Sequence, residues 1–291
     1  MNGPEGPAGP ERSSGEIARE PMSVIDAHHH YRAPGEDDVL FAPAAVMDRE
    51  AYATREFGER LRAMNADGIE QAIIMPGHGY LRPHGIADTR RINNAVAEYQ
   101  RAHPARFPVA LAVAEPLFGS ESLAELDRVH GELGLTGVTF HARFQGVPAD
   151  HRLNAALIER MAELGLVPFL HAGDSSEEEV WRILSLARRV PEVTMVVLDA
   201  FDRLEKVNQV LACAELGPNL VFDTAGCPDY DFVRRFTVRY GAQRVVFGSG
   251  RYSATAPRKR HHILGDILNA DLPDGDKRSI AAGNITSILG L

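Results

Sequence analysis

Residues 193–201 read Val-Thr-Met-Val-Val-Leu-Asp-Ala-Phe, an apolar run of strand length that ends in a carboxylate. Met195 to Leu198 show no polar alternation, so this is not the half-wetted strand of an antiparallel sheet. Strands covered on both faces read this way, and they belong to parallel sheets flanked by helices. Downstream, helical spacing over Leu204–Glu215 leads to a second such run, "NLVFDTAG" (219–226). A helix over Tyr230–Tyr240, a third run, "RVVFGSG" (244–250), and a helix over Arg258–Leu268 follow. Upstream, "VPFLHAG" (167–173) precedes a helix over Glu177–Arg189, and "GVTFHA" (137–142) precedes one over His151–Leu164. "VALAVAEP" (109–116) precedes a helix over Ser122–Leu133, with Ser120 and Ser122 as candidate caps. "QAIIMP" (71–76) leads to a helix over Thr89–His103 that Pro104 stops. A first strand opened by Val24-Ile25 leads to a helix over Arg49–Asp67, in which Phe57, Leu61 and Met64 recur at helical spacing. Eight strand–helix units without a composition break predict an α/β fold, a single-domain (β/α)8 TIM barrel over residues 22–291. The rival, an open doubly wound sheet, would carry a GxGxxG fingerprint after its first strand, and none is present.

Composition bounds the function. The chain of 291 residues is 44% hydrophobic and 24% charged, enough for a real core. A formal charge of −9 with no long basic block argues against a nucleic-acid or anionic-membrane partner and leaves a small-molecule substrate. Cys213 and Cys227 are the only cysteines, so neither a disulfide framework nor a cysteine-built zinc site is indicated, which suits a reducing cytoplasm. Residues 1–21 are rich in Gly, Pro, Ser and Glu and lack the apolar stretch of a signal peptide; they read as a disordered leader. No run approaches the roughly 20 apolar residues of a membrane helix.

Barrels of this kind carry their chemistry at the C-terminal ends of the strands. Those ends supply His28 and His30, then His78, Glu115, His141, His171, Asp199, Asp223, and Gly250 with Arg251. In "IDAHHHY" (25–31), residues i and i+2 share a face, so His28 and His30 converge while His29 faces the other way as a passenger. His171, about half a barrel away, can add a third nitrogen, giving the three-ligand layout with an open position that catalytic metals use. A hydrogen-bonded His28–His30 pair is the alternative. His78 and His84 read as solvated loop residues, His261 and His262 as a solvated helix start, and His141 as either a pocket or a surface residue. Asp26 reads as a holder of the strand end or as an orienter of an imidazole. Phe140, Phe169 and Phe222 read as core or pocket wall.

These motifs resemble the amidohydrolase-related family, the group that includes aminocarboxymuconate-semialdehyde decarboxylase and dicarbolactone hydrolases. The resemblance runs from Val24 to Leu291. "IDAHHH" is similar to the family's D-x-H-x-H first strand, "PFLHAGD" to its fifth-strand histidine, "VVFGSG" to its F-G-S-D eighth strand, and "AAGNITSILGL" to its closing helix. The resemblance implies one divalent ion, Zn²⁺ foremost, held by His28, His30 and His171, and a homodimer. Two departures stand out. Gly250 occupies the place of the eighth-strand aspartate that usually binds the metal and handles the proton of its water. Asp199 occupies the place of a sixth-strand histidine. Asp199 is therefore the candidate catalytic acid–base, with Asp223 a second candidate for the lost carboxylate. Arg251 or Arg143, with His141, is expected to meet the substrate. The expected activity is metal-dependent hydrolysis or decarboxylation of a small carboxylated or cyclic substrate. A lyase, cyclase or isomerase without an activated water, and a non-catalytic binding protein, are the alternatives.

Overall fold

The computed structural model describes residues 22–32, 49–77, 81–173, 175–252 and 262–291. The leader over 1–21, His78, His261 and the start of the helix expected from Arg258 lie outside the described residues. Eight strands run in chain order: β1 (Ile25–Tyr31), β2 (Gln71–Pro76), β3 (Ala112–Val113), β4 (Gly137–Phe140), β5 (Val167–His171), β6 (Met195–Leu198), β7 (Leu220–Asp223) and β8 (Val245–Val246). Neighbouring strands pair in parallel within two ladders, β1–β2 and a six-stranded β3–β8. Short seams close the ring. Leu111 N donates to Ile74 O at 2.7 Å between β2 and the β3 segment. Ala27 N donates to Phe247 O at 2.9 Å and His30 N to Arg251 O at 2.7 Å between β8 and β1. The fold is the expected (β/α)8 barrel.

Alternation along each strand builds two layers. Met75, Leu111, Phe169, Val196, Leu198 and Val246 fill the barrel interior. Ile285 and Leu289 of the closing helix, Asn284–Leu289, join this cluster at the strand starts, beside Ile25 and Val167. Ile74, Leu170, Val197, Phe222 and Phe247 face the helices, as does Phe140. The three expected core phenylalanines are thus core. The third strand is shorter than its sequence suggests, and a helix side chain bonds the backbone of its last residue. Asn93 accepts from Val113 N at 2.9 Å and donates to Val113 O at 3.1 Å, so those backbone groups need no strand partner. Ser122 does not cap its helix, which begins at Ser120; its hydroxyl donates to Glu115 O instead. No described helix is long and apolar enough to cross a membrane.

One irregularity positions the site. The β1–β2 register shifts by a residue between Asp26, opposite Ala72, and His29, opposite Ile74. This bulge switches the parity of β1. Ile25 and Ala27 face the interior below it, and the even-numbered His28 and His30 face the interior above it. Without the extra residue, the histidines would follow Asp26 to the outer face.

Candidate metal centre

His28, His30 and His171 meet inside the mouth of the barrel, each at most 2% exposed. His30 Nε2 lies 2.9 Å from His28 Nε2 and 3.3 Å from His171 Nε2. Each ring is held by its other nitrogen. His28 Nδ1 donates to the Asp223 carboxylate at 2.6 Å, His30 Nδ1 to Pro76 O at 2.9 Å, and His171 Nδ1 to Phe140 O at 2.9 Å. A neutral imidazole that donates through Nδ1 presents a lone pair at Nε2. Three such lone pairs converge here, and at these distances they repel unless a cation lies among them. The three nitrogens lie within 4.8 Å of one another, so small ring movements would bring all of them to the bonding distance of about 2 Å from one ion. The three residues therefore fit a divalent ion, and the carboxylate and carbonyl partners on Nδ1 orient them as metal-binding histidines are usually oriented.

The surroundings are equally fixed. Asp223 is fully buried, and its second oxygen accepts from Asp199 N at 2.8 Å. Burial raises the proton affinity of its carboxyl, and His28 works in the opposite sense. Its carboxylate sits in space that only glycine leaves open, since a Cβ on Gly248 would lie 2.6 Å from Asp223 Oδ2 and 3.0 Å from His28 Cβ. On the far side His141 stacks on His171 at 4.3 Å and bonds through Nδ1 to the Glu178 carboxylate. Tyr252 stacks on His30 at 4.4 Å.

The amidohydrolase family model matches residues 25–291. The chain belongs to the amidohydrolase family. Its barrel is similar to 5-carboxyvanillate decarboxylase from Sphingomonas paucimobilis, at 17% identity and a TM-score of 0.71, over 93% of this chain and 99% of that one. It is similar to a dihydroxybenzoic acid decarboxylase from Polaromonas sp. JS666 with bound manganese and 2-nitroresorcinol, at 17% identity and 0.71, over 93% and 97%. It is also similar to 4-oxalomesaconate hydratase from Rhodopseudomonas palustris, at 15% identity and 0.67, over 92% and 95%. No curated protein matches in sequence.

Within this amidohydrolase-family barrel the expected residues fall into three groups. His28, His30 and His171 come together, with His141 against the last of them. Asp199 stands at the rim of the group: 7% exposed, its carboxylate 4.0 Å from His28 Nδ1, at the one positive φ among described non-glycine residues, 59°. Arg143 is exposed beside the mouth, its guanidinium 5.4 Å from the Phe144 ring centre and its amide donating to Glu178.

Arg251 does not join the site. It pairs side by side with His29, so it shares the outward face, and its guanidinium is bonded to Asp67 in the helix layer. The structure pairs its guanidinium with Asp67 and does not bring it to the three histidines. His29 is no idle passenger either. It is fully buried, with Nδ1 3.0 Å from Asp26 Oδ2. Asp26 also accepts from His28 N at 3.0 Å and Ser249 N at 2.8 Å, stitching β1 to the end of the eighth strand. Burial alone would raise the Asp26 carboxyl, but His29 and these donors outweigh it and hold it at about 2. His262 is packed rather than solvated, with Nε2 3.3 Å from Asp67 and its ring edge-on to Phe247. His84 is the exposed loop residue expected, beside Asp88. Glu178 is the site residue that sequence reading missed. It is one of three consecutive glutamates, 177–179, and only the fold turns the middle one inward.

Proposed function

We propose that the protein is a divalent-metal-dependent carbon–carbon lyase that decarboxylates a small carboxylated substrate, with His28, His30 and His171 as the ligands. The observation that carries the reading is the convergence of three Nε2 lone pairs, each fixed by an acceptor on Nδ1. When bound, the ion supplies Lewis-acid stabilisation of negative charge on a substrate oxygen. Asp199 hands a proton to the carbon that loses its carboxylate: the carbon–carbon bond breaks, its electron pair takes the proton, and CO2 departs. His141, kept as the Nε2 acceptor by Glu178, receives a substrate hydroxyl, and Arg143 meets carboxylate charge at the rim.

Gly250 leaves the place of the family's eighth-strand aspartate without a side chain, so the proton transfer of a decarboxylation is assigned to Asp199. The decarboxylases that share this barrel support the same reaction class. Hydrolysis of a small cyclic substrate is the second reading, favoured by the Asp199–Asp223–His28 grouping. Zn²⁺ suits three imidazoles, and the manganese of the Polaromonas relative makes Mn²⁺ the comparison. The test is metal analysis of the purified protein, then CO2 release from a panel of hydroxylated aromatic carboxylates after loading with each ion. Release that His171→Ala abolishes is the expected result. Lactone hydrolysis without CO2 release would replace the lyase with the hydrolase, and a protein that takes up no divalent ion would end both readings.

A further inference from the structure

We propose that Arg60, held by Glu56 and Tyr99, is a positioning residue for His30: a buried ionic clamp outside the barrel wall that fixes the peptide from which this imidazole projects. The proposal rests on the metal reading above. Arg60 lies in the helix Arg49–Asp67, 2% exposed, and Glu56 one turn before it is fully buried. Arg60 Nη2 donates to His30 O at 2.9 Å, and its Nε donates to Glu56 Oε1 at 2.8 Å. Tyr99, from the helix Ile86–Ala102, donates its hydroxyl to Glu56 Oε2 at 2.7 Å. Burial raises that phenol's pKa, so it stays protonated as a donor. The same Tyr99 ring stacks on Tyr31 at 4.1 Å, so the cluster grips the His30–Tyr31 peptide through both its carbonyl and the next side chain.

Energetics make this placement informative. A buried Arg–Glu pair is costly to desolvate, and apolar residues of similar volume often stabilise a fold as well or better. Here three polar side chains from two helices are buried together, and the described hydrogen bonds lead from them to the barrel at the carbonyl of one candidate ligand. His30 is held at three further points, through its amide to Arg251 O, through Nδ1 to Pro76 O, and by the Tyr252 ring on its face. Arg60 supplies the remaining constraint, on the carbonyl. Removing it frees the peptide to rotate and lets Nε2 drift from the other two nitrogens.

The test compares Co²⁺ affinity, visible absorption of the Co²⁺ protein, and thermal midpoint in wild type and three variants. In the apolar triple variant Glu56→Leu/Arg60→Met/Tyr99→Phe, the midpoint should hold or rise while Co²⁺ binds at least about tenfold more weakly with an altered spectrum, the size usual for partners that orient a metal-binding histidine. Arg60→Lys keeps the charge but lacks the fork that reaches Glu56 and His30 together, and should show the same loss. Tyr99→Phe alone removes only the outermost bond and should cost less than about threefold. A folded triple variant that binds within about twofold of wild type, with the wild-type spectrum, overturns the clamp. If the triple variant does not fold, Arg60→Lys decides on the same criteria. A wild type that binds no divalent ion overturns the metal reading instead. The clamp is then decided by the ¹⁵N shifts of the His30 ring, which should change in Arg60→Lys; unchanged shifts overturn it.

Discussion

Asp223 Oδ2 lies 2.6 Å from His28 Nδ1, bringing the end of the seventh strand against the first-strand histidine, and both side chains are fully buried. Its carboxylate is engaged by His28 and by the Asp199 amide. We propose that Asp223 orients the His28 imidazole.

Asp223→Asn keeps the shape and removes the charge. The amide can still accept from Asp199 N, but it then turns its NH2 toward His28 Nδ1, where two donors would face each other. His28 relieves the conflict by moving its proton to Nε2, which removes a lone pair from the cluster. Metal affinity should fall roughly 10–100-fold, measured by calorimetric titration. Unchanged affinity would show that Asp223 is not needed to set the His28 tautomer.

Gly248→Ala attacks the same pair from below. The added Cβ would lie 2.6 Å from Asp223 Oδ2, so the carboxylate must move. Denaturant unfolding should show a loss of about 1–3 kcal/mol from overpacking, together with weaker metal binding. Gly265→Ala, where a Cβ meets nothing within 4 Å, is the control; as a helix glycine it should gain up to about 1 kcal/mol. Equal effects at the two positions would contradict the steric account.

His29→Ala should separate stability from metal binding. Its ring packs on the Asp26 side, away from the Nε2 cluster. Emptying that volume should cost roughly 2–4 kcal/mol while metal affinity stays within about threefold. A variant that loses metal as completely as His28→Ala would mean that the bulge in β1 has been misplaced.

Asp199 carries both a charge and a left-handed backbone, and two substitutions distinguish them. Asn tolerates φ near 59° as readily as Asp does. Asp199→Asn should therefore leave the thermal midpoint nearly unchanged while kcat drops by roughly 10²–10⁴-fold, the range for a lost general acid or base. Asp199→Ala should show the same kcat loss and an additional drop in the midpoint. Full activity in Asp199→Asn would move the proton transfer elsewhere, with His141 the next residue to test.

The barrel was legible because apolar runs such as Met195–Leu198 and Ile73–Met75 have no other home than a parallel sheet buried on both faces. The trio was legible because period-two spacing and strand-end position are local properties of a sequence. What escaped was non-local. A bulge is set by how β1 registers against β2, so counting parity from Ile25 assigns His28 to the wrong face while the His28–His30 relation survives. Arg251 was placed in the mouth by its neighbourhood in the chain, but its pairing with His29 turns it to the helix side. The Glu178 contact to His141 joins residues 37 apart, and nothing in "SSEEE" distinguishes the middle carboxylate.

The two seams of the ring both border the β1–β2 ladder, where pairing narrows to a few bonds on either side. That pair is therefore the stave most readily sprung from the barrel, and the amides of Ala27 and His30, which bond across the β8 seam, should exchange with deuterium together and ahead of the amides of β4 to β7. Two of the three clustered nitrogens ride on that stave and the third on the opposite wall. An ion among them would act as a hoop, and adding it should slow exchange at the seam far more than in the rest of the wall.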